Sequence, residues 1–87
     1  MQTIVVIGSN SFTGGHLIRH VLALKNNYRI IAISRSPQIV SVMSAYLARG
    51  ADLDRVEFRQ LSVNSQAEEI LDICDRHKPE FVFNFAA

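Results

Sequence analysis

A short run near the start of the chain combines glycines with hydroxyl side chains, a combination suited to holding a phosphate group. The run is Gly8-Ser-Asn-Ser-Phe-Thr-Gly-Gly15. A bound phosphate requires backbone N–H donors, room to approach the chain and the positive end of a helix dipole. Gly8 can adopt a turn conformation that side chains forbid, and Gly14 and Gly15 would let a following helix lie close to strand and ligand. Further hydroxyl donors in the run are Ser9, Ser11 and Thr13.

The spacing of this run differs from two common phosphate-binding loops. No Lys-Ser or Lys-Thr pair follows the glycines, so the run is not a Walker A loop. Asn10 stands where the G-x-G-x-x-G pattern requires its second glycine. A strand predicted before the run and a helix predicted after it favour a phosphate-binding loop. The alternative is a tight strand-to-helix turn that binds nothing.

The elements that would position this loop alternate along the chain. Strands are predicted at residues 3–7, 28–33, 55–61 and 81–85, and helices at about 13–25, 36–50 and 65–78. The pattern βαβαβαβ predicts a parallel sheet with right-handed crossovers and helices on both faces. We expect an α/β fold: an incomplete doubly wound, Rossmann-like sheet of strand order 3-2-1-4, spanning residues 1–87 as part of one domain. Ligands of such sheets bind beyond the carboxyl ends of the strands, here after the first and fourth.

Two details of side-chain placement follow from the same patterns. Ser65 and Glu68 have the spacing of a capping box at the start of the last helix. The side chains expected on the inner face of that helix are Ile70, Leu71, Ile73 and Cys74. The alternation in the last strand places Phe81, Phe83 and Phe85 on one face of the sheet, where we expect them to pack in the core.

The residues after the second strand bear on the choice of cofactor. In a dinucleotide-binding sheet, an acidic residue at this position favours NAD, whereas a nearby arginine accommodates the additional phosphate of NADP. Here the strand continues into Ser34-Arg35-Ser36, which has no carboxylate. Arg35 offers a planar fork to a phosphate and both serines can donate to it, so we expect NADP in preference to NAD. The alternative is a solvated arginine at the start of a helix.

The first loop and the end of the fourth strand together resemble the extended short-chain dehydrogenase/reductase family, which contains the sugar-nucleotide epimerases and dehydratases. The loop of that family is T-G-x-x-G-F-I-G, and this chain has Ile7-Gly-Ser-Asn-Ser-Phe-Thr-Gly14. Ser11 replaces the middle glycine, as in the subset of members with the sequence GSNSFSG. The stretch Asn84-Phe-Ala-Ala87 is similar to the NLAA or HLAA that ends the family's fourth strand.

The resemblance implies where NADP or NAD would lie. The first loop would place the pyrophosphate at the start of the helix, and the small residues after the fourth strand would line the nicotinamide side. Ser62 takes the position of a family Asp that holds the adenine amine, with Val63 as an apolar contact. The expected cofactor-binding residues are Gly8, Ser9, Asn10, Ser11, Phe12, Thr13, Gly14, Ser34, Arg35, Ser36, Ser62, Val63, Phe85, Ala86 and Ala87.

The chemistry of the family depends on a Tyr-x-x-x-Lys pair, in which the lysine depresses the pKa of the tyrosine. Four residues after Tyr28 stands Ala32, and four after Tyr46 stands Gly50, so we expect no catalytic residue in these 87 residues. The resemblance implies the NAD(P)-binding portion of a sugar-nucleotide epimerase or dehydratase, which in complete form acts on a nucleotide sugar and often dimerises. The alternatives are a non-catalytic NADP-binding regulator of the same superfamily and an α/β fragment without a function of its own.

Composition excludes several other classes. A net charge of +1 without a basic run is not that of an electrostatic nucleic-acid binder. The apolar run at residues 4–7 is too short for a membrane span or a signal peptide. The single cysteine, Cys74, cannot form an internal disulfide, which favours a cytoplasmic setting. His16 and His20 lie one helical turn apart but lack a third ligand, so we expect surface histidines and no metal site.

Because the fourth strand is apolar with an open edge, we expect this chain alone to be marginally stable or to associate.

Overall fold

A computed structural model describes residues 2–24, 28–36 and 55–86 of the chain. Among these residues it contains four strands and two helices. The strands are β1 (Gln2–Ile7), β2 (Tyr28–Ser34), β3 (Val56–Gln60) and β4 (Phe81–Asn84), and the helices are α1 (Phe12–Ala23) and α2 (Ala67–His77). The predicted elements in these ranges are confirmed. The helix predicted at 36–50 lies almost entirely outside the described residues.

The four strands form one parallel sheet in the order β3-β2-β1-β4, as predicted. In the centre of the sheet, Val5 pairs with Ile31 of β2 and with Val82 of β4. Since all strands run in the same direction, the loops that follow them emerge at one edge. This arrangement confirms the α/β, Rossmann-like architecture and places the first loop beside the end of β4.

The central strands are buried on both faces, which explains why β1 and β2 are continuous apolar runs without alternation. One face packs against α1, and the other packs against α2. The α1-side core consists of Ile4, Val6, Ile18, Val21, Leu22, Ile30 and Ala32. The α2-side core consists of Val5, Ile7, Ile31, Ile33, Ile70 and Ile73. The helices therefore lie on opposite faces, as a doubly wound sheet requires.

Two predictions about α2 are wrong. Its N-cap is Gln66 rather than Ser65, and the cap side chain accepts no hydrogen bond from a backbone N–H of the helix. Leu71 is 67% exposed, whereas Ile70 and Ile73 are buried and Cys74 packs against them. The reason is the helical period: positions i, i+3 and i+4 share a face, whereas i+1 is turned away by about 100°.

The α2 helix ends where the sequence suggested. Lys78 adopts the left-handed conformation (φ 44°), and its N–H donates to the carbonyl of Cys74 at 2.9 Å. This C-cap satisfies a terminal carbonyl of the helix and turns the chain into β4.

The three phenylalanines of the β4 region lie on one face, as predicted. Their ring centroids are 6.1 Å apart for Phe81 and Phe83 and 6.3 Å apart for Phe83 and Phe85. Phe83 and Phe85 pack against the α1-side core. Phe81 is only partly covered, and Val82 on the opposite face is half exposed. In the described sheet β4 is an edge strand, and it carries exposed apolar side chains on both faces.

Replacing Val82 with lysine is expected to reduce self-association of the chain. A charged side chain on an edge strand opposes pairing with the edge of another molecule. We expect sedimentation velocity to show more monomer for Val82→Lys than for the wild type at equal concentration. The matched control is Leu71→Lys, which adds the same charge to an exposed position on α2, away from the strand edge. Equal effects of both substitutions, or a monomeric wild type, would contradict association through this edge.

The outer strand β3 has a polar face on which one carboxylate pairs with two arginines. Glu57 accepts from Arg59 of the same strand at 2.8 Å and from Arg29 of β2 at 2.8 Å. The hydrogen bond from Arg59 contributes most to lowering the pKa of Glu57, and the hydrogen bond from Arg29 lowers that pKa further. Partial burial opposes this shift. The trio therefore links β3 to β2 when Glu57 is ionised.

Replacing Glu57 with glutamine is expected to remove a pH-dependent contribution to stability. Because folding lowers the pKa of Glu57 below 4.5, its stabilisation is fully present above that pH and is lost as the pH falls through the lowered value. At pH 7 we expect Glu57→Gln to cost up to about 1 kcal/mol, because the pair is partly solvated. Thermal melts from pH 7 to pH 3 would show the difference from the wild type shrinking below pH 4.5. Glu80→Gln is the control, and a difference that is constant with pH would contradict the assignment.

Candidate functional site

The first residue after β1 is held in a position that only glycine can occupy. Gly8 has φ +81°, a conformation that side chains disfavour. A Cβ on Gly8 would lie 2.8 Å from the backbone nitrogen of Ala86 and 2.8 Å from the carbonyl carbon of Phe85. The N–H groups of Gly8 and Ser9 both donate to the carbonyl of Ile33, at 2.8 and 3.0 Å. The loop is therefore fixed between the ends of β2 and β4.

Ser11 is the N-cap of α1 and holds the turn together. Its Oγ accepts from the N–H of Gly14 at 3.0 Å and donates to the carbonyl of Gly8 at 2.7 Å. A hydroxyl has one proton, and in this geometry it is directed to Gly8, so the donation from Ser11 to a phosphate stays a prediction that would require the hydroxyl to rotate. The serine that replaces the expected glycine thus has a structural reason: it caps the helix and closes the loop.

The two glycines in the first turns of α1 have different roles. A Cβ on Gly14 would collide with the carbonyl oxygen of Gly8, so the close approach predicted for this glycine is confirmed. A Cβ on Gly15 would meet only the carbonyl oxygen of Ser9, at 3.9 Å, which is an ordinary contact. The close approach to the strand predicted for Gly15 is therefore wrong, and its predicted approach to a ligand stays a prediction. The N–H groups of Phe12 and Thr13 have no acceptor within the helix, as at every helix start.

A cleft of about 540 Å³ opens at the carboxyl edge of the sheet, at the place where the topology predicts a ligand site. Ten of the expected site residues line it: Gly8, Asn10, Ser11, Ser34, Arg35, Ser36, Ser62, Val63, Phe85 and Ala86. Residues from the ends of all four strands therefore meet in one cavity. Its lining contains no aspartate or glutamate, and Arg35 is its one formally charged residue among those described.

Other expected site residues lie away from the cleft lining. Ser9 is 1% exposed and is buried beneath the loop. Phe12 is 78% exposed, with its ring edge-on to His16 at a centroid distance of 4.4 Å. Thr13 is exposed in the first turn of α1, and the buried Gly14 supports the loop from below. Ala87 lies outside the described residues. Ser9, Phe12 and Thr13 are not among the residues that line the cleft, and their contact with a ligand stays a prediction.

The segment after β2 presents a cation on the cleft. Ser34 is buried, and its Oγ accepts from the N–H of Ser36 at 3.3 Å. This contact bends the chain so that Arg35 projects as an exposed residue at the cleft. Its carbonyl accepts from the Gln60 amide at 3.4 Å, and its guanidinium has no partner among residues 2–24, 28–36 and 55–86.

Sequence reasoning missed two asparagines that line the cleft, Asn64 and Asn84. The Oδ1 of Asn84 accepts from the N–H of Ala86 at 3.0 Å, which turns the chain immediately after β4. An asparagine directly after an apolar strand is a recognisable turn signal, since its side chain can bond to the backbone two residues on. Asn64 lies in the turn after β3, and its position could not be inferred from spacing alone.

The described part of the chain contains neither a metal-binding cluster nor a membrane-spanning helix. No cluster of three or more His, Cys, Asp or Glu residues there could hold a metal ion. His16 and His20 are exposed on α1. None of the helices within the described ranges has the length and apolar character needed to cross a membrane.

Comparison with known proteins gives one family. The chain matches the NAD dependent epimerase/dehydratase family over residues 4–87, which is almost its full length. No curated protein matches the chain. The family match spans the loop after β1 and all four strand ends that form the cleft.

Substituting alanine at Gly14 and at Gly15 should have opposite effects on stability. Gly14→Ala forces its Cβ against the Gly8 carbonyl, and overpacking of this kind costs about 1–3 kcal/mol. Gly15→Ala meets no such obstacle and is expected to stabilise the helix by up to about 1 kcal/mol. Urea unfolding at equilibrium would measure both. Equal changes in the free energy of unfolding would contradict the close contact between Gly14 and Gly8.

Proposed function

Because the chain belongs to the NAD dependent epimerase/dehydratase family, we propose that its cleft binds NADP in preference to NAD, as the cofactor-binding part of a sugar-nucleotide epimerase or dehydratase. The observation that carries the proposal is the convergence of the four strand ends on one cleft. Its position matches the site where open α/β sheets bind nucleotides. The complete enzyme would act on a nucleotide sugar.

The cleft is compatible with a pyrophosphate beside the first loop. Gly8 lines the cleft, and because it has no side chain the backbone at Phe85 and Ala86 can close directly against the first loop. The N-terminus of α1 supplies the N–H groups of Phe12 and Thr13 and the positive end of a helix dipole. No acidic residue lies in the first turn of α1 or in the described cleft lining to repel an anion.

The adenosine and nicotinamide sides follow from the order of the strands. Ser62 and Val63 line the cleft after β3 and would flank the adenine. Phe85 and Ala86 line it after β4, on the side proposed for the nicotinamide ribose. The small side chain of Ala86 leaves room there for the cofactor.

The preference for NADP rests on Arg35. This residue follows β2, the strand whose end lies nearest the adenosine ribose in dinucleotide-binding sheets. Its guanidinium is exposed at the cleft and has no partner in the described part of the chain, whereas Arg29 and Arg59 are paired with Glu57. A free fork of N–H donors suits a phosphate on that ribose, and no carboxylate in the described lining competes for it.

The proposal assigns binding and orientation, not proton transfer, to the described residues. When bound, NADP would supply the hydride acceptor of the reaction. Tyr28, the tyrosine within the described ranges, lies at the start of β2, where its carbonyl accepts from the Nε of Arg55 at 3.0 Å and its side chain packs against the core. It is therefore at the opposite end of the sheet from the cleft. A regulator that binds NADP without catalysis would need the same site.

Titration calorimetry of the chain with NADPH and NADH tests the proposal. We expect both to bind, with NADPH about ten-fold tighter or more, since a hydrogen bond to a charged group contributes about 1.5–3 kcal/mol. Arg35→Ala should lower the affinity for NADPH to that for NADH while leaving NADH binding nearly unchanged. Arg19→Ala removes an equal charge from the exposed surface of α1 and is the matched control.

Two results would count against the proposal in different ways. If neither NADPH nor NADH binds, the cleft is not a dinucleotide site. If both bind and Arg35→Ala leaves their affinity ratio unchanged, the preference for NADP does not come from Arg35.

A further inference from the structure

The wall of the cleft that follows β3 is a short turn held by a side chain from outside the cleft. Residues 62–64 of this turn line the cavity, and Val63, Asn64 and Ser65 are exposed. We propose that Gln66 is the positioning residue that gives this wall its selectivity for adenine. The inference rests on the proposed cofactor site and adds to it a residue that does not itself touch the ligand.

The side chain of Gln66 points back to the turn and not into the helix. Its Oε1 accepts from the N–H of Ser62 at 2.9 Å, and its own N–H donates to the carbonyl of Ser62 at 2.7 Å. Both backbone polar groups of Ser62 are therefore bonded to one residue. The two contacts close a ring across the turn and fix Ser62 relative to the start of α2.

Because the side chain of Gln66 bonds to Ser62, it does not make the hydrogen bond that an N-cap side chain ordinarily accepts from its helix. An N-cap side chain usually accepts from the N–H of the second or third helical residue, which stabilises the helix by about 1 kcal/mol. Gln66 occupies the N-cap of α2 but makes no such bond. Its acceptor oxygen bonds to Ser62 in the cleft wall instead, so the side chain stabilises the turn and not the start of the helix.

The orientation of the Gln66 amide is set from the other side. Its Nε2 donates to Oε2 of Glu69 at 3.4 Å, which directs the carbonyl oxygen toward Ser62. Glu69 lies in the first turn of α2, where the helix dipole also favours a negative charge. The amide is thereby held between the helix and the cleft wall, with its oxygen bonded to Ser62 and its nitrogen bonded to Glu69.

Positioning matters here because the wall has little else to fix it. Leu61, just before the turn, is tied to β2 through its N–H and the carbonyl of Ser34 at 2.9 Å. Beyond that point, the contacts of Gln66 are the hydrogen bonds that the described residues make to Ser62. The Ser62 hydroxyl can accept from the adenine amine only if the backbone of Ser62 is held in place.

The test compares NADPH with its hypoxanthine analogue, in which an oxo group replaces the adenine amine. Wild-type chain should bind NADPH more tightly than the analogue by titration calorimetry. Gln66→Ala should reduce that preference about five-fold, the factor that one net hydrogen bond supplies. Gln66→Glu retains an oxygen that can accept from Ser62 but loses the donor to Glu69, so it should restore part of the preference. Glu68→Ala, in the same helical turn, should lower neither the preference nor the binding to the analogue.

Hydrogen exchange of the chain without cofactor provides a second measurement. The Ser62 amide should exchange more slowly than that of Val63 in the wild type and in Gln66→Glu, and should lose this protection in Gln66→Ala. An unchanged preference for adenine in a folded Gln66→Ala, or a Ser62 amide that exchanges as fast as Val63 in the wild type, would overturn the inference while leaving the cofactor site intact. Absence of binding to both dinucleotides by the wild type would instead overturn the proposed function.

Discussion

The structure depends on one close approach, the contact of Gly8 with the chain that follows β4. At this point the backbone of Gly8 lies so near Phe85 and Ala86 that a single Cβ would force them apart. The carbonyl of the same residue accepts from both the N–H and the hydroxyl of Ser11. One glycine therefore joins the ends of β1 and β4 and sets the start of α1. Because protein interiors are close-packed, no neighbouring segment can absorb an added atom cheaply.

Each of the four loops around the cleft is closed by a side-chain oxygen that accepts a nearby backbone N–H. Ser11 accepts from Gly14 after β1, and Ser34 accepts from Ser36 after β2. Gln66 accepts from Ser62 after β3, and Asn84 accepts from Ala86 after β4. In each contact a side-chain oxygen and a backbone N–H are paired with each other and so are not directed toward a ligand. What remains toward the cleft is a mostly neutral lining, with Arg35 and the N-terminus of α1 as sources of positive potential.

Much of the fold could be predicted because burial determines it directly. The continuous apolar runs of β1 and β2 are required for strands covered on both faces, and alternation of elements fixes a parallel sheet. Leu71 shows the limit, since hydrophobicity alone placed it inward although its helical phase turns it away from Ile70 and Ile73. Ser65 and Glu68 show a second limit of prediction from the sequence. Their spacing fits a capping box, but the helix begins one residue later because Gln66 bonds to Ser62.

The sequence predicts which chain segments form the candidate site better than it predicts what their side chains contact. The glycine at position 8, the described residues after β2 and Ala86 after β4 all reach the cleft, since topology alone brings strand ends together. The hydroxyls of Ser9 and Ser11 were expected to face a phosphate, but one is buried and the other donates to Gly8. A hydroxyl beside a tight turn can satisfy the backbone or a ligand, and sequence spacing does not distinguish the two. The backbone demand takes priority here because Ser11 Oγ is the acceptor of the Gly14 N–H, and leaving an N–H unpaired in a covered turn costs about 1–3 kcal/mol. In the proposed site, recognition of an anion by this loop would therefore fall to main-chain N–H groups, which a change of side chain cannot remove.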